Sequence, residues 1–371
     1  YFYRLLQRSK DIKLLYTSGI KGFNSGEMSR FLYQIKYESG LSIKESSFQN
    51  RISTQNPRAI TIPKTKEILE ILEQYKVSDN KALSPSAINT YLDCPLRFYF
   101  RHIANIKEKD QIAEELDQRL LGTIFHDCSQ TLYNTVPGGK ITSDAIDALL
   151  KNEKQIETHI FNAYQKIYSK QIYQLLDSGS NELLLNVVKK YIQAMLRYDK
   201  SITPFTIIAL EQRFYVPVSV KIDGQIQTIF IGGYIDRVDK TEQGIRVIDY
   251  KTGVDTTDFK NIPSIFDSEN PTRNKAALQT MLYCMMYDYT QPGNLPLIPG
   301  IYNTKQLFGK NYDYHLVCDK NIISNFRLFE KEYREELAGL LNKIFSIEYP
   351  FTQPDNEKKC TNCSYAGICR R

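Results

Sequence analysis

Two short runs in the second half of the chain combine residue types that can hydrolyse a phosphodiester. Ile235-Asp236-Arg237-Val238-Asp239 is followed, after a brief polar turn, by Val247-Ile248-Asp249-Tyr250-Lys251-Thr252-Gly253. Side chains alternate faces along a strand, so Asp249 and Lys251 emerge on one side and Tyr250 on the other. A hard divalent cation needs oxygen ligands, and a water attacking phosphorus needs a charged partner to orient it. Asp249 supplies the first and Lys251 the second, while a strand over about Thr228 to Lys240 delivers Asp236 as a second carboxylate. The pair Gly232-Gly233 in that strand leaves room for another backbone, or for a nucleic acid, to come close.

A second constellation lies elsewhere. Cys360, Cys363 and Cys369 are separated by two and five residues, and Cys94, in Asp93-Cys94-Pro95-Leu96-Arg97-Phe98-Tyr99-Phe100, is the candidate fourth thiol. Four thiolates satisfy either a tetrahedral zinc or an iron–sulfur cluster, and the spacing alone leaves both open. Such a site would tie together points far apart in the chain and supply folding free energy. Cys128, Cys284 and Cys318 are scattered among apolar or helical neighbours and read as small buried hydrophobes.

The elements that must position these residues follow from periodicity and punctuation. Asp11 to Tyr16 reads as a strand and Glu27 to Ile35 as a helix, in a small first unit reaching residue 81. A second domain, 82–371, opens with Ser84 as N-cap and Pro85 as first helical residue, and Pro95 ends that helix. A helix is expected from about Gln111 to Tyr133, then two or more helices between Ser143 and Tyr198. Three strands follow, over about 206–218, 228–240 and 244–251, with turns at Asp223-Gly224 and Gln243-Gly244. A polar segment then leads into a helix containing Gln279 and Tyr283.

The 371 residues exceed one average domain. A net charge of +6 suits a polyanionic partner without specifying one. Arg97, Arg101, Lys107 and Lys109 interleave with Phe98, Tyr99 and Phe100, a mixture that can meet phosphates and unpaired bases. No apolar run is long enough to span a bilayer, and the cysteine pattern points to a reducing cytoplasm rather than to disulfides. No G-x-x-x-x-G-K-[ST] loop occurs, so a motor for ATP hydrolysis would have to come from a partner or from sequence upstream of a chain that opens without methionine.

In order along the chain, His126 in Leu121-Gly122-Thr123-Ile124-Phe125-His126, Gly233-x-x-Asp236-Arg237-x-Asp239, Asp249-Tyr250-Lys251-Thr252-Gly253 and Gln279-x-x-x-Tyr283 resemble the four core motifs of the RecB-type branch of the PD-(D/E)XK nuclease superfamily. The resemblance covers about Leu83 to Cys369. It implies an α/β, restriction-endonuclease-like core, a mixed sheet flanked by helices, with a large helical portion. It implies one or two Mg²⁺ or Mn²⁺ ions held by His126, Asp236, Asp249 and the Tyr250 carbonyl, with Lys251 orienting the water. Gln279 and Tyr283 would hold the substrate strand or Lys251, and Glu211 takes a secondary role beside the site or in an ordinary strand ion pair. In AddB-like subunits of bacterial recombination nucleases, an early cysteine and a terminal C-x-x-C-x-x-x-x-x-C hold a [4Fe–4S] cluster, which assigns Cys94, Cys360, Cys363 and Cys369 to such a cluster ahead of zinc. The implied function is a bacterial, nucleoid-associated DNA exonuclease of double-strand-break repair and recombination, working beside an AddA-like helicase–nuclease. The alternatives are a non-catalytic DNA-end-binding scaffold subunit and a zinc-stabilised interaction module.

Overall fold

The computed structural model describes residues 2–16, 20–21, 24–25, 28–46, 59–107, 118–168, 178–309 and 311–371. The chain divides into two compact units, Tyr1–Pro57 and Arg58–Arg371. In the first, a helix runs over Arg30–Glu38, starting three residues later than its periodicity predicts because Ser29 provides the cap by accepting from the Phe31 N–H. Asp11 to Tyr16 carries no regular structure. Among the described residues no strand pairs with it, and an extended segment without a partner has no ladder to hold it.

The second unit begins well upstream of residue 82. A short strand, Thr61–Ile62, pairs with Phe351–Thr352, and helix α1 (Lys66–Val77) buries Ile68 and Leu72 in the core shared with everything downstream. Lys64, almost fully buried, donates to the carbonyls of Lys343 and Ser346 and fixes this segment to the end of a late helix. Helix α2 (Pro85–Asp93) starts as its sequence dictates, with the Ser84 hydroxyl accepting from the Ala87 N–H at 3.1 Å. The expected helix start near Gln111 lies outside the described residues. After short helical turns at Pro95–Phe98 and Tyr99–Ile103, four longer helices follow among the described residues: α3 (Gln118–Tyr133), α4 (Ser143–Lys151), α5 (Glu153–Tyr168) and α6 (Ser178–Ser201). The apolar stripe of α6, with Leu184, Val188, Ile192 and Met195, is buried among them.

The central sheet has five strands in chain order: β1 (Lys140–Ile141), β2 (Phe205–Ile222), β3 (Gln225–Lys240), β4 (Ile245–Lys251) and β5 (Leu297–Asn303). The first three contacts are antiparallel, whereas β4 and β5 run parallel and are joined through helix α7 (Lys275–Thr290). Asp223 and Gly224 both have positive φ (47° and 84°), the conformation of a two-residue hairpin turn whose twist matches its strands. That turn lets β2 and β3 pair along a ribbon longer than local periodicity predicts.

Two hydrophobic cores flank the sheet, and β4 alternates between them. Val247 lies in the core formed with α7, α1, α2 and α8 (Glu330–Phe345). Ile248 and Tyr250 lie in the core formed with α3 to α6. This is the mixed sheet flanked by helices that the motifs implied. Gly232 and Gly233 are approached by the chain's own Ala82–Pro85 segment: a Cβ on Gly232 would stand 2.9 Å from the Ala82 methyl, and one on Gly233 would stand 3.1 Å from the Pro85 ring. Among the described residues no helix is long and apolar enough to cross a membrane.

Candidate active site

The long ribbon brings two carboxylates face to face. Leu210 pairs with Arg237 and Gln212 with Ile235, which sets Glu211 opposite Asp236. Like charges directly opposite each other in a ladder destabilise it. Glu211 also adopts φ 46°, a left-handed conformation that costs a non-glycine residue about 1 kcal/mol. The compensation comes from α3, whose His126 places Nδ1 2.8 Å from Glu211 Oε1 and 3.7 Å from Asp236 Oδ1. One ligand-type atom from each of these three residues lies within 4.8 Å of the others. Burial opposes charge on His126, but Asp236, Glu211 and Asp249 outweigh it and lift its pKa to about 9. Burial raises the pKa of Asp236, with Glu211 adding to the rise and His126 working against it. A hard oxygen and imidazole donor set under such charge pressure fits a divalent cation.

β4 supplies the neighbouring pair. Its backbone is locked to Asp236, whose Oδ2 accepts from the Tyr250 N–H at 2.7 Å. Alternation then works as the sequence predicts: Lys251 Nζ sits 2.6 Å from Asp249 Oδ2, while the Tyr250 ring turns to the opposite core beside Phe125 and Tyr302. Helix α7 reaches over this pair. Gln279 Nε2 donates to Asp249 Oδ1 at 3.1 Å and to the Tyr283 hydroxyl at 2.5 Å, and its Oε1 accepts from Lys251 Nζ at 3.3 Å. Gln279 thus bridges the acid and the base, with Tyr283 one helical turn further on bracing it. Burial pushes Asp249 up to about 7, against the pull of Lys251. Lys251 remains firmly charged, because Asp249 and Asp236 outweigh its own burial.

All six predicted site side chains, His126, Asp236, Asp249, Lys251, Gln279 and Tyr283, therefore converge. Asp249 stands outside the tight group of His126, Glu211 and Asp236, engaged instead by Lys251 and Gln279. Glu211, read from sequence as secondary, is the direct partner of His126. Sequence reasoning missed Asn303, a buried residue at the end of β5 that donates to the carbonyls of Gly253 and Asp255 at 3.3 and 3.0 Å and so holds the turn after Lys251. It also missed the frame behind Asp236. Arg237, with no exposed surface, meets Asp199 of α6 at 2.7 Å and Asp239 at 2.6 Å. Arg246 joins Asp239 at 2.6 Å, and Tyr302 and Tyr133 donate their hydroxyls to Asp199. Asp236 and Arg237 are thus not a pair. One carboxylate serves the cleft, and the next residue anchors its strand to the helical layer.

Away from this cleft, Cys94, Cys363 and Cys369 pack against the core formed with α7, and Cys363 and Cys369 act electrostatically on Cys94. Cys94 caps the short helical turn after α2, its Sγ 3.3 Å from the Arg97 N–H, and burial raises its pKa to about 11 with Cys363 and Cys369 adding to the rise. Burial likewise raises Cys360 and Cys369. The terminal segment is seated by the Tyr365 hydroxyl on the Ile106 carbonyl at 2.8 Å, and by Gln353 on the Cys369 carbonyl at 3.0 Å. The remaining thiols, Cys128, Cys284 and Cys318, are buried, as expected of small apolar side chains.

Known proteins resemble this chain over part or most of its length. Over 188 residues, 47% of this chain and 16% of the relative, the sequence is 27% identical to a subunit of the ATP-dependent helicase/deoxyribonuclease of Carboxydothermus hydrogenoformans. It is 23% identical over 195 residues, 50% of this chain and 15% of the relative, to the protein of the same name from Streptococcus agalactiae serotype Ia. The matched stretch is thus about one sixth of each relative's length. The family model of the PD-(D/E)XK nuclease superfamily matches residues 82–370, a range that contains every motif residue of the cleft and Cys94, Cys360, Cys363 and Cys369. With the motif side chains gathered from one sheet and two helices, the chain belongs to the PD-(D/E)XK nuclease superfamily.

Proposed function

We propose that this chain is a metal-dependent deoxyribonuclease domain that hydrolyses phosphodiester bonds at DNA ends. The observation that carries the reading is the group of His126, Glu211 and Asp236, with ligand atoms within 4.8 Å of one another, next to an Asp249–Lys251 pair bridged by Gln279. Mg²⁺ or Mn²⁺ held by these residues would acidify a water and neutralise charge gathering on the non-bridging phosphate oxygens. Lys251, charged and partly exposed, orients the attacking water and accepts no proton until its own is released. Asp249 and Gln279 hold the Lys251 ammonium in place, and Tyr283 holds Gln279. His126 is the protein's own counter-charge for the facing carboxylates of Glu211 and Asp236. Mn²⁺ binding followed by electron paramagnetic resonance tests the assignment: bound Mn²⁺ in the wild type that is lost in Asp236→Asn supports it, and equal binding in both removes it.

For Cys94, Cys360, Cys363 and Cys369, the reading is a [4Fe–4S] cluster acting as a staple. A metal bound there would take the place of the thiol protons, which would leave to solvent against the upward pull of burial. Four thiolates satisfy either occupant, and the resemblance of the cysteine spacing to that of AddB-like subunits puts the iron–sulfur cluster ahead of zinc. The name shared by the relatives is that of one subunit of an ATP-dependent helicase/deoxyribonuclease. We extend this to the present chain as a nuclease working beside a helicase–nuclease partner in double-strand-break repair.

A further inference from the structure

The sheet face that carries Glu211 and Asp236 continues beyond them. One ladder step towards the hairpin tip, about 7 Å along the strand, Arg213 stands opposite Tyr234. One step further, Tyr215 stands opposite Gly232. Residues two apart on a strand share a face, so this row begins with the two carboxylates and runs on through these side chains. Tyr234 leaves 59% of its surface exposed, although it sits in the middle of a paired ribbon. Tyr215 meets the ring of Tyr289, from α7, at 5.9 Å, and Tyr289 is itself 48% exposed. Arg213 is fixed at the edge of the row by the carboxylate and carbonyl of Asp79.

The opposite face of the same ribbon buries Phe214, Val216, Val218 and Val220 in the core, so the ribbon's stability does not call for aromatic rings on the open face. Exposed rings in line with a hydrolytic site have a use when the substrate strand is unpaired. Each base then presents a face for stacking, whatever the sequence, whereas a duplex keeps those faces inside. We propose that Tyr234, with Tyr215 and Tyr289 behind it, forms a stacking track that holds the unpaired strand of DNA next to the carboxylates and gives the site its preference for single-stranded ends.

This inference rests on the nuclease reading, and the test separates the two. A fluorescein-labelled oligothymidylate and a blunt duplex are titrated, in Ca²⁺ to prevent turnover, with the wild type, Tyr234→Ala, Tyr234→Phe and Tyr289→Ala, while Mg²⁺-dependent cleavage by the wild type is measured in parallel. Tyr234→Ala is expected to lose roughly 5- to 150-fold in affinity for the single strand, with duplex binding unchanged and Tyr234→Phe equal to the wild type. Tyr289→Ala, on a helix surface, is expected to fall in the same direction. A wild type that cleaves DNA while Tyr234→Ala binds oligothymidylate unchanged, or loses single strand and duplex equally, overturns the track alone. A wild type that neither binds nor cleaves overturns both readings.

Discussion

Replacing Arg237 with methionine tests whether the residue next to Asp236 belongs to the frame or to the chemistry. Arg237 is fully buried, bonded to Asp199 by two nitrogens at 2.7 and 3.1 Å and to Asp239 by Nε at 2.6 Å, with its guanidinium 4.6 Å from the centre of the Phe205 ring. Its removal leaves Asp199 with two tyrosine hydroxyls and Asp239 with Arg246, so both carboxylates stay buried with part of their compensation gone. Removing one partner of a buried ion pair costs about 3–5 kcal/mol. The chain has no tryptophan, so urea unfolding followed by far-ultraviolet circular dichroism is the suitable assay. Asp199→Asn and the double variant complete a cycle in which the two losses should not add, with a coupling of about 1–3 kcal/mol. A loss below about 1 kcal/mol with additive singles would refute the frame. Lost cleavage at unchanged stability would move Arg237 into the reaction.

Three further outcomes follow from the site and the cluster. The His126 pKa rises from 6.5 to about 9 in the fold, so its contribution to the metal-free protein is complete below about pH 6.5 and is lost as pH rises through 9. Up to about 3 kcal/mol is at stake, and melting of the wild type against His126→Gln in chelator should show the difference closing over that window; a constant difference would contradict it. Glu211→Gln relieves the like-charge pair with Asp236, so it should leave metal-free stability equal or higher while weakening Mn²⁺ binding at least tenfold by calorimetry, and unchanged binding would remove Glu211 from the site. Cys363→Ser should abolish visible absorption and iron content and lower the melting temperature, with faster proteolysis of the terminal segment; zinc in the wild type, without colour, would replace the cluster assignment.

What the sequence made legible is what local geometry determines. Asp249 and Lys251 share a face because strands alternate, Gln279 and Tyr283 share one because helices repeat, and Ser84-Pro85 starts a helix by capping. What stayed hidden depends on residues far apart in the chain. Asp199 reads as one polar position on a long apolar helix until Arg237 arrives from the sheet, and Asn303 gives no sign that it will hold Gly253 and Asp255. Glu211 owes its place to a left-handed φ that no residue type announces. The glycines at 232 and 233 signalled a close approach correctly, but the visitor is the Ala82–Pro85 segment. Pairing of Thr61–Ile62 with Phe351–Thr352 and burial of Ile68 and Leu72 place residues from Arg58 onward in the second compact unit.

The central claim is that the carboxylates of this cleft and Lys251 hydrolyse DNA. End-labelled linear DNA, single- and double-stranded, incubated with the purified chain in Mg²⁺, in Mn²⁺ and in chelator, alongside Lys251→Ala, tests it most directly. The account predicts metal-dependent shortening of the label that disappears in Lys251→Ala while that variant still folds and binds DNA. Cleavage surviving in Lys251→Ala, or DNA binding by the wild type without cleavage under any divalent ion, would contradict it.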